Sequence, residues 1–393
     1  MSSNGWKEYT LDELTVSFDS RRIPLNTRQR ENRNGPYPYY GASGVIDTID
    51  DYLFDGEFVL ISEDGENLRS RTTPIAFKVD GKFWVNNHAH VLQGNEPFLN
   101  DWIVYFFQNI DLNPFITGAV QPKLNQENLY LIKIPMPESE EAKKSVAFLS
   151  SLDDKIELNR QTNATLEAIA QAIFKEWFVD FNFPGATGEL VESELGMIPE
   201  AWRVGKLGDI FKITMGQSPP GESYNEDGIG TPFFQGRTDF TFRFPEKRVY
   251  TSDPKRLANQ FDTLVSVRAP VGDMNIAAED CCIGRGLAAV IEKNGNSSFT
   301  YYFMKQLTEK FRSFEDNGTV FGSINKSEFE GMKCVIPNYE TITSIESICK
   351  LIDYEILNNE QQSITLAAIR DSLLPKLMRG EIYVTIRKEN SDE

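Results

Sequence analysis

The stretch LDDKIELNRQTNATLEAIAQ at residues 152–171 returns, two hundred residues later, as IDYEILNNEQQSITLAAIRD at residues 352–371. Within residues 152–176, Asp153, Ile156, Asn159, Gln161, Thr165, Leu166, Ala168 and Ile169 are identical to Asp353, Ile356, Asn359, Gln361, Thr365, Leu366, Ala368 and Ile369. Ordinary residue usage would give about one or two such matches over that length. A fixed interval of this kind marks a duplication. Both copies carry a helical seam. In the first, Leu152, Ile156, Asn159, Leu166, Ile173 and Trp177 belong to a run whose members lie three or four residues apart. In the second, Ile352, Ile356, Asn359, Leu366 and Leu373 keep the same frame. A heptad seam left open to water is unfavourable, so two in one duplicated chain predict an antiparallel coiled-coil pair. Asn159 and Asn359, at matching seam positions, are expected to fix register at some cost in stability.

The repetition extends outward from the helices. WKEYTLDEL at 6–14 returns as WRVGKLGDI at 202–210, and PYY at 38–40 as PFF at 232–234. GAVQPKLNQENLYLIK at 118–133 returns as GTVFGSINKSEFEGMK at 318–333. Around the helices lie short β-rich runs, EFVLIS, PIAFKV, FWVNNHAHVL, DTLVSV and GLAAVIE, punctuated by Gly, Pro, Asn and Asp. One helix is expected near 99–110. The reading is an α+β protein, a pseudo-two-fold tandem duplication of a mostly-β module and a long helix. Its boundaries are a first module at 1–140, a helix at 141–180 and a Gly/Pro-containing linker at 181–200. A second module at 201–338, a second helix at 339–380 and a tail at 381–393 complete it. Pro375 predicts a kink near the end of the second helix, and Gly380 its stop. Asn125 and Asn325 recur in both copies and read as turn residues, while Tyr39, Tyr40, Phe233 and Phe234 read as core.

Composition excludes several classes. No apolar run approaches the roughly 18 residues of a membrane helix, and MSSNGWKEYT lacks a signal-peptide core, so a cytoplasmic protein is expected. Cys281, Cys282, Cys334 and Cys349 show no metal-ligand spacing and suit a reducing compartment. The formal charge of −18 opposes nucleic-acid binding at face value, but it is uneven. Residues 1–140 hold 12 basic and 20 acidic residues, whereas residues 201–340 hold 17 and 18. There is no phosphate-binding glycine loop and no dinucleotide fingerprint. Asn113-Pro114-Phe115 is a fragment of a methyltransferase motif lacking one proline. Glu138, Glu141 and Lys143 mimic a nuclease spacing but begin a helix, where acidic residues favour the dipole. His88 and His90, expected on one face of a strand, lack a third ligand for a metal site. No catalysis is expected.

The duplicated layout, the W-x4-L-x2-L/I module starts and GENLRSRTTPIAFKVDGKFWVNNHAHVL in the first module together resemble the specificity subunits of type I restriction–modification systems. MGQSPPGESYNEDGIGTPFFQGR and SVRAPVGDMNIAAEDCCIGRGLAAV in the second module, and the helix endings AIFKEWF and SLLPKLMRGEI, extend the resemblance over nearly the whole chain. What the resemblance implies is a non-catalytic reader of double-stranded DNA. Each module would be a target-recognition domain for one half of a split, asymmetric site. The helices would be a spacer on which methyltransferase subunits, two of them expected, dock. Those partners would carry S-adenosylmethionine for adenine methylation, a separate restriction and translocase subunit would complete the enzyme, and no cofactor or metal would be bound by this chain.

A helix over about 141–178 is about 55 Å long, enough to hold readers one DNA turn apart. Base reading calls for loop residues able to make bidentate bonds. The candidates in the first module are Arg28, Arg30, Arg33, Arg69, Arg71, Gln121 and Lys123. Those in the second are Gln217, Ser218, Gln235, Arg237, Arg268, Arg285 and Ser323. A coiled-coil protein-interaction scaffold or a DNA-mimicking inhibitor is the alternative that the acidic balance would also suit.

Overall fold

The structure, a computed structural model, describes residues 5–118, 120–268, 270–314 and 322–385, so part of the repeated loop at 318–321 lies outside the described residues. Two helices of 40 residues, Ser139–Phe178 and Tyr339–Met378, carry the opening repeat. The second continues through Pro375, which sits in its last turn. The chain forms two compact units, residues 1–157 with 363–393, and residues 158–362. Each unit therefore combines one module with part of both helices. Sequence treated the spacers as bodies of their own; packing divides them because each module's core runs on into the helices. In the first unit Trp102, Leu129 and Ile134 share a core with Leu149, Leu374 and Leu377. In the second Phe211, Phe299 and Tyr302 share one with Phe174, Trp177 and Ile356.

Within the second unit the helix segments run antiparallel. Asn159 Nδ2 donates to Gln362 Oε1 at 2.9 Å and to the Asn359 carbonyl at 3.3 Å. Asn163 Nδ2 donates to Glu360 Oε1 at 2.7 Å, and its Oδ1 accepts from Asn359 Nδ2 at 2.9 Å. Rising numbers on one helix thus meet falling numbers on the other. These asparagines are buried yet partnered, so a slip of register would strand several polar groups at once. Of the other seam residues, Ile356 and Trp177 are buried, while Leu152, Ile156, Leu166, Ile173, Ile352, Leu366 and Leu373 are half-buried. A second buried stripe, Glu167, Phe174, Asp353, Leu357 and Leu374, widens the face, because each helix packs on a module as well as on its partner.

The main sheets of the two modules repeat one another strand for strand. The first has an antiparallel sheet ordered Thr15–Ser17, Ala89–Gly94, Phe58–Ser62, Ala76–Val79. The second has Phe211–Met215, Leu287–Glu292, Thr263–Val267, Val271–Ile276 in the same order. Among the described residues each module also contains a single parallel pairing. Tyr39 and Tyr40 lie opposite Trp84 and Val85, and Phe233 and Phe234 opposite Cys282 and Ile283. Tyr39, Phe233 and Phe234 are core as expected, and Tyr40 is half-buried. Two expectations are corrected. FWVNNHAHVL is not one strand: it breaks at Asn86-Asn87-His88 between Lys82–Val85 and Ala89–Gly94. The segment 181–200 is not plain linker, since Leu190–Ser193 and Gly196–Pro199 pair as a hairpin. The expected helix near 99–110 is Pro97–Asn109.

Candidate nucleic-acid interface

All seven second-module candidates lie along one edge of their module, where five segments meet. The segment after strand Phe211–Met215 is held by Gly216 N–H donating to the Leu287 carbonyl and Gln217 N–H to the Ile283 carbonyl, both at 2.9 Å. Ser218 Oγ donates to Gln235 Oε1 at 2.9 Å and accepts from the Arg285 N–H at 3.4 Å. Gly284 N–H donates to the Phe234 carbonyl at 2.8 Å, and Gly286 N–H to the Gln235 carbonyl at 3.1 Å. This backbone approach needs small residues: a Cβ on Gly284 would lie 2.6 Å from Gln235 Oε1, and one on Gly286 2.6 Å from the Gln235 carbonyl oxygen. The edge continues as Val267 N–H donates to Gly286 O at 2.9 Å and Ile324 N–H to Val267 O at 3.1 Å. Arg268 and Ser323 are bridged as neighbours there. Arg237 is ion-paired to Asp273, whose N–H donates to Ser266 Oγ at 2.9 Å. Arg268 and Arg285 are exposed, and neither side chain has an ion-pair or hydrogen-bond partner among the described residues.

The first module presents the same edge with different side chains. Asn86 N–H donates to the Tyr40 carbonyl at 3.1 Å, Glu63 N–H to His88 O at 2.9 Å, and Leu124 N–H to Glu63 O at 2.7 Å. Asp64 and Lys123 form the bridge that Arg268 and Ser323 form in the second module. Lys123 Nζ lies 3.2 Å from Glu63 Oε1, and Arg69 donates to the Gly118 carbonyl at 3.1 Å, so Arg69, Gln121 and Lys123 come together here. His88 sits in a turn with Nδ1 2.8 Å from Asp64 Oδ2. His90, by contrast, is buried, with Nδ1 2.6 Å from Asp19 and Nε2 2.8 Å from the Leu124 carbonyl. The two histidines do not face one another. Asp19, Glu63 and His90 do cluster within 4.8 Å, but Arg22 fills the cluster, 2.7 Å from Glu63 and 3.3 Å from Asp19. It is an internal salt bridge network.

Four first-module candidates lie away from this edge. Arg28 and Arg30 are on the short helix Thr27–Glu31. Arg30 is 2.9 Å from Asp47 and covers the Tyr39 ring at 5.1 Å. Arg33 is 2.8 Å from Asp50 and covers Trp84 at 4.8 Å. These two arginines staple a helix and loop onto a sheet; Arg28 alone is exposed there without a side-chain partner among the described residues. Arg71 has φ of 52° and reaches the end of helix Pro97–Asn109, donating to the Gln108 carbonyl at 3.2 Å and the Ile110 carbonyl at 2.5 Å. A cation on orphan helix carbonyls is a C-terminal cap. Arg71→Ala should therefore lower the unfolding free energy by about 1–2 kcal/mol in urea titration, as loss of a charged, exposed cap does. A change in ligand recognition without that loss would contradict the assignment.

Asn125 and Asn325 are helix caps: their side chains accept from Asn128 N–H at 2.8 Å and Glu328 N–H at 3.0 Å. Sequence reasoning did not place Asn86, Asn87 or Asp64 at this edge and weighed His88 only as a metal ligand. The signal for the turn was the NNH inside a run that read as strand.

A family model described as the type I restriction modification DNA specificity domain matches the chain twice, over residues 3–168 and 199–366. The MjaX type I restriction enzyme specificity subunit of Methanocaldococcus jannaschii is 34% identical over 297 residues, 74% of this chain and 69% of that one. The HindI specificity subunit of Haemophilus influenzae is 24% identical across 96% of this chain and 99% of its own. The crystal structure of the type I S subunit from M. genitalium shares the fold, with a TM-score of 0.64 at 15% identity over 98% of each chain.

Proposed function

Because the chain belongs to the type I restriction–modification DNA specificity subunits, the targeting and not the catalytic component of those systems, we propose that it reads a split, asymmetric duplex site, one half per module. The observation that carries this reading is the repeated edge. Two modules share one backbone frame yet present Arg268, Arg285 and Gln217 in one and Asp64, Asn87 and Lys123 in the other. A fixed frame with exchanged tips is what two readers of different half-sites require. Modules at 1–140 and 201–338 are the proposed readers. The long helices are the proposed spacer: 40 residues span about 60 Å, sufficient for half-sites about one turn, 34–36 Å, apart.

The second of these helices leaves Leu351 72% and Ile364 70% exposed. Methyltransferase subunits docked on the spacer would cover such apolar side chains, in keeping with the proposed spacer role. Two such subunits would hold S-adenosylmethionine and methylate adenine, and a restriction subunit would join them. The net charge of −18 favours leaving much of the phosphate grip to those partners.

Mapping N6-methyladenine across the genome of a host expressing the chain with its methyltransferase partner tests the proposal. A split motif with halves about one turn apart is expected, and exchanging residues 1–140 should alter one half only. Absence of any motif from an assembled complex would reject DNA reading in favour of a protein scaffold.

A further inference from the structure

We propose that Asn87, at the tip of the turn Asn86-Asn87-His88, is a specificity-determining residue of the first module and addresses an adenine in its half-site. The inference rests on the DNA-reading function above and deepens it. It comes from aligning the two modules by their hydrogen bonds rather than by their letters. Asn86 N–H meets the Tyr40 carbonyl as Gly284 N–H meets that of Phe234, and Glu63 N–H meets His88 O as Val267 N–H meets Gly286 O. Both matches flank a turn of three residues, so Asn87 stands where Arg285 stands. The neighbouring bridges, Asp64 with Lys123 and Arg268 with Ser323, match as well. The two turns, NNH and GRG, share no letter.

The turn is built to hold its tip still. Asn86 is 6% exposed, and its Oδ1 accepts the His88 N–H at 2.8 Å, closing the turn from within. Three flanking polar groups of this edge are occupied: His88 with Asp64, Lys123 with Glu63, Arg69 with the Gly118 carbonyl. Asn87 is exposed, and its amide has no partner among the described residues. A side chain held on a rigid turn with both its donor and its acceptor unspent can bind without breaking an internal bond. The amide offers one donor and one acceptor side by side, the pattern that complements N7 and the N6 amino group of adenine in the major groove. The guanidinium of Arg285 offers two donors, the complement of guanine O6 and N7. The two modules would therefore differ at this matched position in the base they demand.

The experiment uses the full chain in complex with its methyltransferase subunit, comparing wild type, Asn87→Ala and Asn87→Asp by N6-methyladenine mapping and by competition binding with duplexes changed one base pair at a time. Asn87→Ala should lose discrimination at a single adenine-containing position by about 5- to 150-fold, the span of one bidentate contact. That position should fall in the half altered by exchanging residues 1–140, with the other half unchanged. Asn87→Asp, nearly identical in shape but without the donor, should reject adenine there and favour cytosine, whose N4 amino group donates. Retention of the second half-site in both variants reports an intact fold. An unchanged motif in both variants, or a change confined to the other half, overturns the proposal. A wild-type complex that assembles yet methylates no split motif instead overturns the DNA-reading function, and the proposal with it.

Discussion

Arg243→Ala should lower the unfolding free energy of the second unit by about 3–5 kcal/mol, the cost of leaving buried carboxylates without their cation. Arg243 is 1% exposed, an uncommon place for a guanidinium. It leaves the module next to strand Val271–Ile276, where its carbonyl accepts the Ile276 N–H at 2.8 Å. Its side chain then enters the space between module and helices. There it is ion-paired to Glu167 on the first long helix and lies 3.1 Å from Asp353 on the second. Tyr302 accepts from it at 2.8 Å and donates to Glu167 at 3.1 Å, and the Tyr301 ring covers it at 4.3 Å. One side chain thus joins the module to both helix segments of its unit.

Lys305, 2.9 Å from Glu167, would still serve that carboxylate in the variant, so the loss falls chiefly on Asp353. Burial pushes the Asp353 carboxyl up to about 6, against the pull of Arg243. A carboxyl raised in the folded state gives stability that is present at low pH and lost as pH rises through its folded value. Without Arg243 the rise is larger, so the destabilisation should be small near pH 4 and grow toward pH 8. Guanidinium denaturation followed by tryptophan fluorescence at several pH values measures this. A loss below about 1 kcal/mol, the scale of an exposed pair, would show that the cluster does not anchor the module. Combining Arg243→Met with Glu167→Gln and Asp353→Asn should recover most of the stability, since removing all charges of a buried cluster together is far milder than removing one.

Arg285→Ala should relax recognition at one base pair of the second half-site by about 1–3 kcal/mol, leaving the first half intact. Arg285 is the residue for which the edge supplies support without opposition. Its backbone is held by Ser218, its neighbours Gly284 and Gly286 pack on Gln235 where a Cβ would collide, and its guanidinium has no acidic partner among the described residues. Arg237 differs, being already paired to Asp273. Arg237→Ala is therefore expected to act less on base choice than Arg285→Ala does. Competition binding with single-base-pair variants separates the two. Equal relaxation at several positions would point to a general phosphate contact, which weakens all sequences alike and reduces the salt slope by about one.

Duplication, class and the long helices were legible because they are written in period and repetition. Helix seams recur every three or four residues, and the W-x4-L-x2-L/I starts and PYY/PFF pairs return at nearly constant offset. Asn125 and Asn325 announced themselves as structural by recurring in both copies, and each caps a helix. Arginine content was a poorer guide to the candidate interface. Arg30, Arg33 and Arg71 spend their donors on Asp47, Asp50 and the end of a helix, partners 17 or more positions away that no local pattern reveals.

What sequence alone determined, then, is everything that depends on spacing along the chain: two copies, two seams, and buried asparagines at matching steps. Tertiary structure decided what depends on spacing through space. It broke FWVNNHAHVL at a turn that the Asn86 side chain closes by accepting the His88 N–H, and so set Asn87 at the backbone position that Arg285 holds in the other module. It also chose Arg243 among 40 basic residues to be buried, because two carboxylates from different helices converge beside the loop that carries it. A side chain's charge is a property of its letter, but whether that charge is free to bind is set by the partners folding brings to it.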